Sequence, residues 1–294
     1  MKTSLSYIAG YIDGDGCFFL NKENNPLKYR AKIIISSTCK FVLVTFANEF
    51  GGNVYIQSKR KDHWKRTYHW ILQGKYAFKF SLEILDFLIE KKEDAKIFIE
   101  YIQSNKLLRE ELINIMRNKR ESIREIDECV VDKIRNVKIK GVSNDLDFPY
   151  FAGFIDAECC LGISKYKPKN RPNFTYKISL QCTNTNPIIF FWLRERFGGS
   201  ITHVKRKQKN PKHRDQIIWV LNGDRLAKIL PKILPYLRAK NKVCEKLIEL
   251  HNTVLPNGGD RQSEEFRNSY SAILCLREQI VNEVHKLNSK GSNV

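Results

Sequence analysis

Residues 7–17 have the sequence YIAGYIDGDGC, and residues 150–160 have the sequence YFAGFIDAECC. The two stretches share Tyr, Ala, Gly, Ile, Asp and the final Cys, and they begin 143 residues apart. Each places two small residues inside an apolar run that ends in acidic residues. An internal repeat of this kind indicates one structural unit used twice.

Three further blocks recur downstream in the same order. They are Phe-Gly-Gly at 50–52 and 197–199, Trp-Ile-Leu-Gln-Gly at 70–74 against Trp-Val-Leu-Asn-Gly at 219–223, and an apolar block at 85–91 and 234–240. Their offsets of 147, 149 and 149 residues are nearly constant. We therefore predict two related halves, residues 1–137 with a trailing helix and residues 148–294, joined by an exposed linker at 138–147.

Within each half, the apolar spacing alternates between the helical and the strand period. It predicts an α+β fold with the element order αββαββα. The Phe-Gly-Gly blocks follow amphipathic stretches, where glycine favours a left-handed helix C-cap. One charged helix is predicted over 107–134. The predicted strands cover 17–22, 29–36, 53–58 and 67–72, and then 160–165, 174–181, 200–204 and 216–221.

The composition indicates a globular protein that binds a polyanion. Lys and Arg outnumber Asp and Glu by 51 to 32, which gives a net charge of +19 and favours nucleic acid as the partner. We expect no membrane association and no signal peptide, because no apolar run reaches 18 residues and structure begins almost at the first residue. The eight cysteines lack zinc or redox spacing and indicate free thiols in a reducing compartment.

The repeated stretch also predicts a reactive centre. Ala9 and Gly10, like the same pair in the second copy, have almost no side chain, so two helices can approach closely there. Asp15 and Glu158 would then lie near each other at helix C-termini, where the helix dipole disfavours negative charge. A divalent cation would offset both costs. Carboxylate oxygens suit Mg²⁺, which activates water and stabilises charge on a phosphate.

Residues 8–16 and 151–159 resemble the nine-residue signature of the LAGLIDADG homing endonucleases, and the order of strands and helices resembles that family across nearly all of the chain. The resemblance implies two signature helices packed at a pseudo-two-fold axis, with a curved antiparallel four-stranded sheet from each half along the DNA major groove. It implies a monomer that hydrolyses one phosphodiester in each strand of a long double-stranded DNA target and leaves short 3′ overhangs. Because the halves differ on these faces, we expect an asymmetric target.

The same resemblance implies roles for four acidic residues. Asp15 and Glu158 would be metal ligands, one for each strand. The implied cofactor is Mg²⁺, with Mn²⁺ or Ca²⁺ able to replace it for binding. Asp13 and Asp156 would instead serve helix and interface hydrogen bonding.

Four further residues complete the predicted catalytic set. Lys91 and Lys240 occupy the position where the family usually keeps a basic residue near the scissile phosphates, which can stabilise developing charge. Gln181 and Asn184 lie where the family often holds polar groups that position water. We therefore expect all four to surround the reacting phosphates.

Basic and amide side chains cluster on the predicted strands and hairpins. Lys28, Arg30 and Lys32 alternate along one strand, so all three can face one side of a sheet. Lys and Arg bind phosphates, while Arg, Gln and Asn reach base edges. The predicted DNA-binding residues are Lys28, Arg30, Lys32, Gln57, Lys59, Arg60, Lys61 and Arg66 in the first half, and Lys165, Lys167, Lys177, Gln181, Lys205, Arg206, Lys207 and Arg214 in the second.

The second copy departs from the signature at its last two positions, where Glu158 replaces Asp and Cys159 replaces Gly. Glutamate still binds metal. A Cβ at Cys159 is strained if the backbone there requires a positive φ, which puts the efficiency of the second centre in question. If the second centre is less efficient, we expect the protein to nick one DNA strand.

Two other functions are compatible with the sequence. The same fold could act as a maturase for a group I intron, with the intron RNA as partner, or as a regulator that binds DNA without cutting it. Acids in both halves favour cutting, because RNA binding does not require a metal ligand in each. The many Lys, Ile and Asn residues indicate an AT-rich genome, so we expect the chain in the mitochondrion or chloroplast that encodes it, or in a bacterial cytoplasm, without a targeting signal.

Overall fold

A computed structural model describes residues 3–22, 29–57, 65–122, 126–142, 145, 147–169, 174–206, 214–253, 255 and 263–290. The first half has the predicted order of elements. They are helix α1 (Leu5–Asp15), strands β1 (Gly16–Lys22) and β2 (Tyr29–Ser37), helix α2 (Lys40–Phe50), strands β3 (Asn53–Ile56) and β4 (Tyr68–Gln73), and helices α3 (Gly74–Ile84), α4 (Lys92–Gln103), α5 (Lys106–Ser122) and α6 (Glu128–Arg135).

The second half repeats that order. Its elements are α7 (Asp147–Glu158), β5 (Cys160–Tyr166), β6 (Thr175–Asn184), α8 (Ile188–Phe197), β7 (Ser200–Val204), β8 (Gln216–Asn222), α9 (Gly223–Ala227), α10 (Leu230–Ile233), α11 (Asn241–Asn252) and α12 (Glu264–Lys290). A short 3-10 turn follows α3 in the first half and α10 in the second. The αββαββα prediction is confirmed in both halves.

Each half contains one antiparallel four-stranded sheet. The strand orders are β1-β2-β4-β3 and β5-β6-β8-β7. Along β2, Ile33 and Ile35 are buried while Lys32 and Ile34 on the other face are partly exposed. This alternation follows from the two-residue period of a strand. Each sheet thus has one face packed on helices, and we call the opposite one the open face.

A tryptophan at the centre of each half ties the sheet to a helix end. Trp70 and Trp219 are fully buried, and their indole nitrogens donate to Gly51 O at 2.8 Å and Gly198 O at 2.7 Å. Both glycines have positive φ, 82° and 72°, and directly follow α2 and α8. Left-handed backbone of this kind favours glycine, so the predicted helix C-caps are confirmed.

The charged segment predicted as one helix over 107–134 is divided into α5 and α6. Asp127 explains the second start, because its side chain accepts a hydrogen bond from Cys129 N at 2.9 Å and forms an N-cap for α6. The periodicity continues through both helices, so the pattern alone did not reveal the division. The predicted boundary between domains at 138–147 stays a prediction. No helix in the described ranges is both long and apolar enough to span a bilayer.

Candidate active site

Helices α1 and α7 pack directly against each other at two glycines. A methyl group on Gly10 would lie 2.0 Å from Tyr150 O, and one on Gly153 would lie 1.9 Å from Tyr7 O. The two contacts are reciprocal, as a pseudo-two-fold axis between the halves requires. The backbones can therefore meet only because these residues have no side chain, as the sequence predicted.

A buried aspartate near the end of each helix joins three segments. Asp13 accepts hydrogen bonds from Tyr150 OH on the partner helix at 2.5 Å, and from Ile89 N, Glu90 N and Lys91 N in its own half at 2.8–3.1 Å. These bonds fix the loop that leads into α4 against the helix pair. Asp13 and its counterpart therefore serve interface hydrogen bonding, as the resemblance implied.

Asp156 makes the matching set in the second half. It accepts from Tyr7 OH at 2.7 Å, and from Arg238 N, Ala239 N and Lys240 N at 2.7–3.0 Å. The loop before α11 is thus held in the same way as the loop before α4.

Lys91 and Lys240 bind the C-terminal ends of the two helices. Lys91 Nζ donates to the carbonyl oxygens of Ile12 at 2.9 Å and Asp13 at 2.5 Å. Lys240 Nζ donates to Ile155 O at 2.6 Å and to the next carbonyl at 2.8 Å. Ammonium groups are stabilised at helix C-termini, where the dipole is negative. The two predicted basic residues therefore lie beside the helix ends that carry the predicted metal ligands.

Asp15 and Glu158 are the last residues of α1 and α7. Burial raises the pKa of Asp15 to about 6, although the charges of Lys240 and Lys91 act to lower it. Burial also raises the pKa of Glu158 to about 7, and repulsion from Asp15 adds to that rise. The charge of Asp15 thus acts on Glu158, so a cation between the two carboxylates would be favoured. The structure brings the predicted pair together with both lysines.

Two cavities flank the helix ends. The larger, of about 420 Å³, is lined by Asp15 and Lys240 and by the turn at the end of β2. The smaller, of about 210 Å³, is lined by Lys91, Glu90 and the turn after β6. Each cavity is open to solvent beside the end of a signature helix, so each can admit one reacting group. One centre for each DNA strand stays a prediction.

The two residues predicted to position water occupy different surroundings. Gln181 is exposed on the open face of β6, and its Nε2 donates to Thr183 Oγ1 at 3.5 Å. Asn184 ends β6, where its Oδ1 accepts from Thr185 N at 2.6 Å and from Asn186 N at 3.0 Å. Its Nδ2 donates to Glu90 Oε2 at 3.0 Å. Asn184 therefore supports the turn beside the smaller cavity, and a role in positioning water stays a prediction.

Several predicted DNA-binding residues lie on the open faces. Arg30 and Lys32 are on the open face of β2, where Arg30 is paired with Asn21 and Lys32 with Gln73. Lys177 and Gln181 share the open face of β6. Further predicted residues are exposed next to strand ends, namely Gln57, Arg66, Lys167, Arg206 and Arg214. The predictions for Lys28, Lys59, Arg60, Lys61 and Lys207 fall outside the described residues.

Two predicted DNA-binding lysines face the helices instead. Lys165 has the same parity as Leu161 and Ile163, which point toward the helices, and its Nζ lies 2.6 Å from Glu278 Oε1 on α12. Lys205 Nζ lies 3.6 Å from Glu128 Oε2 on α6. Because successive strand residues alternate between faces, neither side chain belongs to the open face. The structure does not place these two with the others, and a contact of either lysine with DNA stays a prediction.

The N-terminal half matches a known protein family. A family model described as LAGLIDADG endonuclease matches residues 8–121, starting at the signature in α1. By this match the first half of the chain, through α5, is similar to LAGLIDADG endonucleases.

Solved structures of LAGLIDADG proteins share the fold of both halves. Meganuclease I-SmaMI bound to uncleavable DNA with a TTCT central four is 16% identical, with a TM-score of 0.61 over 95% of this chain and 100% of that chain. I-SmaMI bound to uncleaved DNA in the presence of calcium ions is 16% identical, with a TM-score of 0.55 over 92% of this chain and 98% of that chain. The homing endonuclease I-GzeII in complex with its DNA target is 16% identical, with a TM-score of 0.58 over 94% of this chain and 97% of that chain. No curated protein sequence matches the chain.

The departure of the second copy of the repeated stretch at Cys159 causes no backbone strain. Gly16, its counterpart, has a φ of −83°, and among the described residues every positive φ belongs to a glycine. The concern that a side chain at Cys159 forces an unfavourable φ was therefore wrong. The thiol is buried beside that of Cys182, where it is part of the core.

Sequence reasoning missed a polar row and one carboxylate in this LAGLIDADG fold. Ser36, His69 and Tyr55 are aligned across three strands of the open face, and Ser36 Oγ lies 2.8 Å from His69 Nδ1. Strand parity could have indicated this row. Glu90 is almost fully buried, and burial raises the pKa of its carboxyl to about 8. No local signal marks Glu90, because it is one acid in a charged segment.

Proposed function

We propose that this chain is a site-specific double-stranded DNA endonuclease that hydrolyses one phosphodiester in each strand of a long, asymmetric target. One observation carries the proposal. Asp15 and Glu158 end two helices in contact, Asp15 and Lys240 line the larger cavity, Lys91 lines the smaller, and each half contributes one antiparallel sheet. Two centres at one axis suit a duplex, in which two strands of opposite direction are cut.

The donor set fits a divalent cation. Burial raises the pKa values of both carboxyl groups, and repulsion from Asp15 adds to the rise at Glu158, so a positive charge between them would offset both penalties. In the described ranges no three His, Cys, Asp or Glu side chains form a metal site, so two carboxylates would leave most positions to water and phosphate. Mg²⁺ has this preference, because it keeps several waters and binds through one or two carboxylates plus substrate phosphates. We propose Mg²⁺ as the cofactor, with Mn²⁺ or Ca²⁺ able to replace it for binding.

Different side chains would bind the metal, stabilise charge on the phosphate and contact the DNA bases. Asp15 and Glu158 would hold the cation, which supplies an activated water and polarises the phosphate. Lys91 and Lys240 keep their ammonium groups at the helix ends, where their charge would offset the negative charge that develops on the phosphate. Arg30, on the open face, would reach into the major groove and contribute to specificity.

Cleavage of a randomised double-stranded DNA library tests the proposal. The purified protein is incubated with Mg²⁺ or with EDTA, and the DNA ends are sequenced. We expect one set of staggered breaks, with short 3′ overhangs, that requires the metal. Asp15→Asn and Glu158→Gln should each lower cutting at least about 100-fold while binding is kept, since both remove a ligand and neither changes the open faces.

A matched control uses an exposed acid that lines neither cavity. Asp86 has 93% of its side chain exposed, and Asp86→Asn should cut like the wild type. Tight binding without breaks would instead favour the non-cutting regulator, and splicing of a group I intron RNA without DNA breaks would favour the maturase. Normal cutting by both acid variants would refute the assignment of the metal ligands.

We further propose that the protein acts where it is synthesised, in an organelle or a bacterial cytoplasm. The eight cysteines are consistent with a reducing compartment, because all are free thiols in the structure. Sequencing the N-terminus of the native protein tests this localisation, and a cleaved presequence would count against it.

A further inference from the structure

The two cavities correspond in part under the internal repeat. Thr38, Lys65 and Lys240 line the larger cavity, and their counterparts Thr185, Arg214 and Lys91 line the smaller. Asp15 lines the larger cavity, whereas its counterpart Glu158 does not line the smaller. Differences between the cavities identify what can make the two centres unequal.

Two lining positions change from apolar to acidic. Ala239 and Val243 in the larger cavity correspond to Glu90 and Asp94 in the smaller. Asp94 forms a close ion pair with Lys119 of α5, so its charge is balanced within the first half. Glu90 instead bonds to the other half, through the Asn184 amide.

The Glu90–Asn184 bond holds the turn after β6 at the smaller cavity. The equivalent turn after β2, at the larger cavity, is held by a different contact. At the end of β2, Ser37 Oγ lies 2.8 Å from Tyr11 OH on α1, and it accepts from Cys39 N at 3.1 Å. The residue equivalent to Tyr11 in α7 is Phe154, which has no hydroxyl. The turn at the end of β6 is therefore anchored by a carboxylate from the opposite half.

The anchor acts on residues that line the smaller cavity. Asn184 Oδ1 accepts from Thr185 N and Asn186 N, and both of those residues line the cavity together with Lys91. Loss of the Glu90 acceptor would release the Asn184 amide, and with it the turn. Glu90 therefore fixes one wall of one centre only.

We propose that Glu90 is a positioning residue for the centre at the smaller cavity, beside Lys91, and that its bond to Asn184 sets the relative rates at which the two DNA strands are cut. The inference rests on the proposed endonuclease function. Glu90 does not need to touch DNA, because it acts through the turn that Asn184 supports. The centre at the larger cavity, with Ala239 at the equivalent position, does not depend on this bond.

Strand-resolved cleavage of a target labelled differently on its two strands tests the inference. In Glu90→Ala, we expect the cutting rate of one strand to fall about tenfold while that of the other stays within about twofold, the size typical for loss of a supporting hydrogen bond at a metal site. Glu90→Gln keeps an oxygen acceptor for Asn184 and should restore the wild-type ratio. Glu93→Ala removes a 62% exposed acid from the same helix start and is the matched control.

Hydrogen exchange gives a second measurement that does not require cutting. The amides of Thr185 and Asn186 should exchange about fivefold faster in Glu90→Ala, as expected for one lost hydrogen bond, and at the wild-type rate in Glu90→Gln. Unchanged exchange in Glu90→Ala, an equal fall in both strand rates, or a Glu90→Gln variant that cuts like Glu90→Ala would overturn the inference. A wild-type protein that cuts no DNA would instead refute the proposed function.

Discussion

Replacing Gly10 with alanine tests whether the helix pair is held by backbone contact. The added methyl group would lie 2.0 Å from Tyr150 O, 2.9 Å from Tyr150 C and 3.0 Å from Phe154 N. Carbonyl groups within a helix cannot move aside independently. Since ordinary contact begins near 3.4 Å, the two helices must separate by roughly 1.4 Å at this point.

The cost of Gly10→Ala has three parts. Overpacking of a tight interior costs about 1–3 kcal/mol. Separation also stretches the bonds from Tyr150 to Asp13 and from Tyr7 to Asp156, and a hydrogen bond to a charged group is worth about 1.5–3 kcal/mol. The higher helix propensity of alanine returns up to about 1 kcal/mol. We therefore expect the free energy of unfolding to fall by about 3 kcal/mol.

Urea unfolding followed by tryptophan fluorescence measures this change, with cleavage assayed in parallel. The control is Gly162→Ala, because Gly162 lies in a strand and a methyl group there would meet no atom within 4 Å. That variant should be neutral or slightly stabilising. A Gly10→Ala protein within about 0.5 kcal/mol of the wild type, with full cutting, would refute the argument that backbone contact holds the pair.

Three further predictions concern charge and anchoring. Lys177→Ala should reduce by about one the slope of log affinity against log salt, whereas Lys165→Ala should leave it unchanged; equal effects in a binding titration would contradict the assigned faces. Lys240→Met removes the charge that contributes most to lowering the pKa of Asp15, so NMR titration should place that pKa above 6, and a fall would show that Lys240 does not lower it. Trp219→Phe leaves a buried glycine carbonyl without its donor and should cost about 1–3 kcal/mol in thermal unfolding; an unchanged melting temperature would mean that water replaces the indole.

The sequence was sufficient for the fold because its signals are local. Small residues at Gly10 and Gly153 identify the helix contact, and apolar residues at every second position identify the strands. Lys165 shows where such a signal was available but overlooked. Leu161 and Ile163 occupy the other odd-numbered positions of the same strand and are apolar, so Lys165 belongs to the face that packs on the helices.

Other features depend on residues that the sequence does not connect. Asp13 meets the loop before α4 more than 70 residues away, and Glu90 meets Asn184 at a separation of 94. No propensity or period indicates such pairs, since each depends on how the two halves pack. The acids of the centre could be predicted because the repeat marks them twice, whereas Glu90 has no acidic counterpart to draw attention to it.

The crossed bonds of the two aspartates have a consequence for building hybrid proteins. Each aspartate takes one donor from the partner helix and the others from its own half, so the halves are joined by a short self-complementary strip of Tyr, Gly and Asp. The residues on the outer sheet surfaces take no part in that strip. A half from a different relative should therefore be interchangeable when it carries the same strip and keeps the Glu90–Asn184 and Lys205–Glu128 contacts, which also join the halves, and the rest of each sheet is then free to evolve separately.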